Sequence, residues 1–417
     1  MKKRWVCSFI ITVVCLVVSA SADELNLQRY IQQFDTLQKE QGNQYVDSPD
    51  MYPWGESGVL LSYARVYLAT GDTSYLKILE EHITRVLANR DDRRGIHDYR
   101  GKSFPGWSTT EYTGGKRYIF PVHTGMITYP IAMYCRAVIK NKQLWMNHLE
   151  KALRTLWQIE ESIAMYDEQW RNGPNPGEGY YVHAMDAPFQ NSRGAGTQGS
   201  ILPLNRQSAM GRAILELYLI TGKQRYLDRV SKIASYLKNC FLRLPNNSYA
   251  WDYHARLDSH NGLSIYIQPA LDKFPVKSYS HSELKKMVAE VFPSGYNWED
   301  ISHASINISF AFQCYQNGII FTDEDMQRLC NTLLLNILGQ PDKAAPRVFG
   351  EPVPFEENRY LGAISNWLEL AGYHPDILKQ VLVVLPNMDM NMHRLASIIY
   401  AIFLMNQNQN IHSGSSH

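Results

Sequence analysis

Apolar positions recur along this chain at helical spacing, in stretches separated by short polar breaks, and one break is written twice. Residues 67–76 read Tyr-Leu-Ala-Thr-Gly-Asp-Thr-Ser-Tyr-Leu, and residues 218–227 read Tyr-Leu-Ile-Thr-Gly-Lys-Gln-Arg-Tyr-Leu. In each copy an apolar helix runs into a glycine, the residue best suited to a left-handed helix cap, and a second helix starts a few residues on. That unit is a helix hairpin. Its recurrence 151 residues apart, from Tyr67 to Tyr218, predicts helix pairs wound into a ring.

The pattern predicts six pairs. Outer helices fall at 26–40, 73–90, 143–166, 225–240, 323–338 and 375–385. Inner helices fall at 54–70, 121–140, 203–222, 299–317, 359–372 and 391–406. The inner set is apolar on most sides, as in Val59-Leu60-Leu61 and Ala213-Ile214-Leu215, and so belongs in the core. The outer set carries more charge, as in Lys77, Glu80, Glu81, Arg85 and Arg90. The expected fold is all-α, an (α/α) toroid or barrel of six to seven helix pairs. Three long connections, 91–120, 167–202 and 241–298, each precede an inner helix, so they gather at one end of the ring. The alternating stretch Tyr249 to His254 predicts a short strand or hairpin in the third.

The ends bound the location. Met1-Lys2-Lys3-Arg4, an apolar run from Val6 to Val18 and Ala20-Ser21-Ala22 read as a cleaved signal peptide over 1–22. The apolar run is too short to span a bilayer comfortably. One domain over 23–406 and a loose polar tail over 407–417 follow. A periplasmic or secreted monomer is expected, with no later membrane span. Cys135, Cys240, Cys314 and Cys330 show no metal-ligand spacing, and Cys135 and Cys314 read as core residues. No cofactor is implied. Forty-one basic residues balance forty acidic ones, and there is no basic tail, which excludes a nucleic-acid partner. The 26 Tyr and 9 Trp suit either a large core or a carbohydrate cleft, where rings stack on sugar faces.

The starts of the inner helices collect unusual residues: Trp54, Glu56 and Ser57; His123 and Thr124; Asn205, Arg206 and Gln207; Glu299, Asp300, Ser302 and His303; Arg359 and Tyr360; Asn391 and His393. Helix starts expose unpaired N–H groups and a positive dipole end, which favour an anion. Glu299, Asp300 and Ser302 also read as capping residues, and His123 equally as a core histidine. No triad, phosphate-loop or metal signature is present. Tyr, His, Asn and Arg predominate over Asp and Glu, a set that fits β-elimination from a uronic acid. One group neutralises the carboxylate, and a Tyr or His moves the C5 proton. His303 leads for this centre. Asn205, His303 and His254 would neutralise charge, and Tyr253 or Tyr360 would transfer protons. Arg206, Arg256, Arg359, Gln207, His123, Trp54, Glu299 and Tyr181 would bind the anionic polysaccharide.

Two local phrases, Trp251-Asp252-Tyr253-His254 and Trp298-Glu299-Asp300-Ile301-Ser302-His303-Ala304, the latter followed by Phe321-Thr322-Asp323-Glu324-Asp325-Met326, carry a family resemblance. With the helix-pair ring, the chain resembles the α/α-toroid polysaccharide lyases, closest to family 38. That resemblance implies a tunnel-like cleft, His/Tyr elimination chemistry and alginate or glucuronan as substrate. Three alternatives stand beside it. One is a glycoside hydrolase, with Asp300, Asp252 or Asp186 as its acid. Another is a uronate C5-epimerase. The third is a non-catalytic glycan binder that uses Trp107, Tyr180 and Tyr181.

Overall fold

The structure is a computed structural model that describes residues 26–189, 198–254, 268–292 and 297–414. The expected signal peptide and Arg256 lie outside these. The inner ring starts at α2 (Ser57–Thr70), entered through a π-helical turn, Tyr52–Glu56. It continues through α4 (Pro121–Lys140), α6 (Leu204–Thr221), α9 (Ile301–Gln316) and a 3₁₀ helix, Leu361–Gly372. The last member, α12 (Met392–Gly414), packs back on α2 and closes the circle. Outside it lie α1 (Leu27–Gln41), α3 (Thr73–Ala88), α5 (Trp145–Ala164), α7 (Gln224–Asn239), α10 (Asp323–Asn331) and α11 (Asp376–Val384). Chain-terminal α12 pairs with chain-initial α1, so six pairs close an (α/α) barrel among the described residues.

The repeated phrase has a physical reason at each position. Gly71 and Gly222 take φ of 71° and 66°, and their N–H groups close on the carbonyls of Tyr67 and Tyr218. Thr70 and Thr221 donate back to Val66 and Leu217, and their hydroxyls accept from the N–H groups of Asp72 and Lys223. The second tyrosine reaches across to the preceding outer helix. Tyr75 donates to Asp35 at 2.7 Å, and Tyr226 donates to Glu160 at 2.6 Å. The phrase therefore ends an inner helix, turns the chain and ties neighbouring outer helices together.

The third long connection holds α8 (His281–Val291), with a capping box from Ser280 and Glu283 that the strand expectation for this region passed over. The expected strand is present but short: Tyr249–Ala250 pairs antiparallel with Leu242–Arg243. Two more small hairpins occur, Trp170–Asn172 with Gly179–Tyr181 and Lys343–Ala344 with Val353–Pro354. Helix α12 runs to Gly414, into the segment expected as a loose tail. Among the described residues, Cys135, Cys240, Cys314 and Cys330 are free thiols, and Cys135 and Cys314 are fully buried. Among the described residues, no helix is long and apolar enough to cross a membrane.

Helix α4 packs closely on α6, where a Cβ on Gly125 would lie 2.5 Å from the Ala209 backbone. Gly125→Ala should cost about 1–3 kcal/mol by overpacking. Gly71→Ala meets no atom within 4 Å and is strained only by its positive φ, so it should cost about 1 kcal/mol. Urea denaturation checks both. A Gly125→Ala midpoint shift no larger than that of Gly71→Ala would contradict this packing.

Candidate functional site

All six inner-helix starts meet one cavity of about 880 Å³. Trp54 and Gly58 come from the first, Val122 and His123 from the second, Asn205 and Arg206 from the third. Ser302 and His303 come from the fourth, Arg359 and Tyr360 from the fifth, and His393 from the sixth. Four arginines line it, Arg65, Arg206, Arg212 and Arg359, and no Asp or Glu does among the described residues. Helix N-termini add positive potential of their own, so the cavity favours an anion twice over.

His303 sits one turn into α9 and is held from behind by the helix cap. Asp300 accepts from the N–H groups of Ser302 and His303 and, through its other oxygen, from His303 Nδ1 at 2.6 Å. Burial alone would raise the Asp300 carboxyl, but the His303 and Ser302 contacts bring it down to about 2. Asp300 is thus both cap and orienter, and His303 Nε2 is left for the cavity. The Tyr253 ring meets His303 edge-on at 5.3 Å. Burial raises the Tyr253 hydroxyl, and neighbouring Arg206 opposes that rise.

Three other histidines are held neutral, mainly by burial. His123 and His183 fall to about 3, with the Arg206 charge adding to the effect, and His393 falls to about 4. His123 lies under the exposed Trp54 ring at 5.8 Å, and its Nδ1 has no hydrogen-bond partner. His393 Nδ1 meets Ser62 Oγ at 2.8 Å. His183 Nε2 receives a 3.4 Å contact from Arg206, outside the cavity lining.

Of the residues singled out in the sequence, His303, Tyr253, Tyr360, Asn205, Arg206, Arg359, His123 and Trp54 share this cavity. Gln207, Glu299, Tyr181 and His254 do not line it. Gln207 is fully buried and clamps the backbone of Tyr181 and Leu202. Glu299 accepts from Trp251 Nε1 and Asn307 Nδ2, and burial keeps its carboxyl well above the usual range. Tyr181 is buried against Trp170. His254 is exposed, and its N–H closes a turn on Asp252. Trp107 is buried with its indole on the Val86 carbonyl, and Tyr180 packs on Tyr236, so neither offers a sugar platform. The cavity's rings are instead Trp54, Tyr112, Phe120, Tyr253 and Tyr360. The sequence reading missed Arg65, Arg212 and the neutral His183. Arg65 and Arg212 were visible as lone charges inside apolar runs, Tyr63-Ala64-Arg65-Val66 and Gly211-Arg212-Ala213-Ile214.

No protein-family model matches the chain, and no curated protein matches it. A similar solved structure is an inactive variant of an α-1,6-mannanase of Salegentibacter sp. HEL1_6 in complex with α-1,6-mannotetrose. It is 13% identical, covers 92% of this chain and 99% of that one, and superposes with a TM-score of 0.48. That neighbour is a mannanase, no family model or curated protein matches the chain as a lyase, and the lyase assignment, with its alginate and glucuronan substrates, is withdrawn. Apart from Tyr253, Ser302 and His303, which line the cavity, the phrases that carried the lyase resemblance serve the fold. Trp251 bonds Glu299, and Asp252 accepts from the Asn297 N–H and bridges to Trp298. Thr322 and Asp325 form the capping box of α10.

The buried histidines set an acid limit. An unfolded histidine titrates near 6.5, so below that pH the unfolded chain takes up protons that the folded rings refuse. Their stabilisation is complete above about pH 6.5 and is lost toward pH 4 and below. Asp300 acts lower: its contribution is present above its ordinary value and is lost only as pH falls toward 2. The unfolding free energy from urea denaturation should fall steadily from pH 6.5 to 4, by up to about 1.4 kcal/mol per pH unit for each ring. His123→Phe should flatten that slope. A flat profile in the parent protein would contradict the burial argument.

Proposed function

We propose that the protein is a polysaccharide-cleaving hydrolase whose cleft takes an acidic glycan. The observation that carries the substrate class is the lining: four arginines, three histidines and three tyrosines, with no carboxylate among the described residues. A carboxylated or sulfated sugar supplies the missing negative charge through charge-assisted hydrogen bonds, while Trp54 and the tyrosines offer faces to the rings. Hydrolysis needs a proton for the leaving glycosidic oxygen and a base for water. His303, fixed by Asp300 and flanked by Tyr253, is the donor. The neutral imidazoles of His123 and His393 share the cavity and accept a hydrogen bond from the attacking water, whose proton passes on to solvent. Water adds to the anomeric carbon as the glycosidic C–O bond breaks. One proton passes to the leaving oxygen and one leaves the water, so the proton count balances.

A second reading is binding without cleavage. One observation favours it: Asp300, Asp252 and Asp186, the carboxylates a paired-acid hydrolase would use, all lie outside the lining. Asp300 is engaged by His303, Asp252 by Asn297 and His254, and Asp186 by Tyr99.

Incubation with a panel of acidic polysaccharides should release reducing ends with saturated products. His303→Ala should lower that rate at least about a hundredfold, the usual scale for a positioned proton donor. Its melting should stay close to that of the parent protein, because the ring is 35% exposed. A polymer that is retained but intact supports the binding reading, and unsaturated product ends contradict hydrolysis.

A further inference from the structure

The inner ring buries more positive charge than it neutralises. Arg65 has Glu369 and donates also to Ser397 Oγ at 2.9 Å. Arg136 has Glu216 at 2.6 Å. Arg212 is 4% exposed and has no carboxylate within ion-pair distance among the described residues. Its Nη1 reaches Ser309 Oγ only at 3.4 Å, its Nη2 rests on the soft Met126 sulfur at 3.0 Å, and its Nε has no partner. The Tyr129 ring lies under the guanidinium at 4.5 Å. Ser309 is itself shared, donating to Glu369 at 3.1 Å and accepting from Gln313 at 2.9 Å.

A guanidinium taken out of water without a counter-ion is costly, and proteins seldom leave one so. Arg212 nevertheless lines the cavity, as do Met126, Ser305 and Ser309 beside it. It lies six residues beyond Arg206 on α6, about 9 Å deeper at 1.5 Å per residue. Arg359 stands exposed at the rim.

We propose that Arg212 anchors a second, deeper anion subsite at the floor of the cleft, which takes one oxyanion of the glycan, a carboxylate or a sulfate ester. The inference rests on the acidic-glycan reading and adds where that charge is read: at the floor, by a fork with no carboxylate partner among the described residues, and not only at the rim. A bound oxyanion accepts from the guanidinium edge and supplies the counter-charge that no described carboxylate provides.

The test is calorimetric titration of the full protein with glucuronate, glucose 6-sulfate and glucose, in the parent, Arg212→Met and Arg359→Met. The parent should bind at least one anion and prefer it clearly to glucose. The tighter of the two identifies the oxyanion. Arg212→Met should weaken that binding about ten- to a hundredfold, the scale of a charged hydrogen bond. Its unliganded melting temperature should match or exceed the parent's, since an uncompensated buried charge has been replaced by an apolar chain. A merely structural arginine would instead lower it. Should Arg212→Met fail to fold, Arg212→Lys keeps the charge without the fork and should show the binding loss with normal melting. Anion binding unchanged in the folded Arg212 variant, with the loss confined to Arg359→Met, overturns the subsite and leaves the acidic-glycan reading intact. A parent that binds neither anion overturns both. Binding without any product from polysaccharide removes hydrolysis alone.

Discussion

The structure depends on closing the inner ring. Six largely apolar helices must circle back so that the last, Met392–Gly414, packs on the first, Ser57–Thr70, and each junction must be tight enough to exclude water. The Gly125–Ala209 approach shows how tight: there is no room for a methyl group. The repeated Tyr-Leu-x-Thr-Gly turns serve the same closure from outside, each ending an inner helix and tying its outer partner to the one before. Once the ring is closed and the inner helices run the same way, their N-termini must share one end. The cavity follows from that topology.

What fills the cavity follows from charge. Convergent helix starts leave N–H groups and positive dipole ends facing one space. The chain adds arginines there, and no Asp or Glu lines the space among the described residues. Asp300, the acidic residue nearest the proposed proton donor, is turned away to cap its helix and grip His303 Nδ1. His123 and His393 are buried enough to stay neutral and so add no further positive charge. The result is a basic, aromatic cleft in which charge can be recognised at the rim by Arg359, in the middle by Arg206 and at the floor by Arg212.

Much of this was legible in the sequence, for identifiable reasons. Inner and outer helices could be told apart because burial on all sides demands apolar residues all round, and helix ends carried glycine, proline and capping signals. Residues at helix starts were correctly grouped because topology alone brings them together. Legibility stopped at side-chain direction. Gln207 adjoins Arg206, but on a helix the next residue points about 100° away, and Gln207 clamps the backbone where Arg206 meets the cleft. Glu299 precedes Asp300 and faces the core under Trp251. The 3₁₀ form of Leu361–Gly372 and the helix His281–Val291 were also hidden, the first because its apolar pattern serves either helix type, the second because it lies in a long connection. Much of what read as a lyase signature is bridges and caps, which any sequence needing that turn can share; only Tyr253, Ser302 and His303 of it reach the cleft.

Under the proposed function the cleft reads charge and not sugar hydroxyls alone, which is tested by comparing affinity for one acidic polysaccharide with affinity for the same polymer after its carboxyl groups have been reduced to alcohols. The lining of arginines predicts that reduction weakens binding at least about a hundredfold, and that the difference shrinks as salt is raised. Equal affinity for the two polymers, at low and high salt alike, would contradict the account.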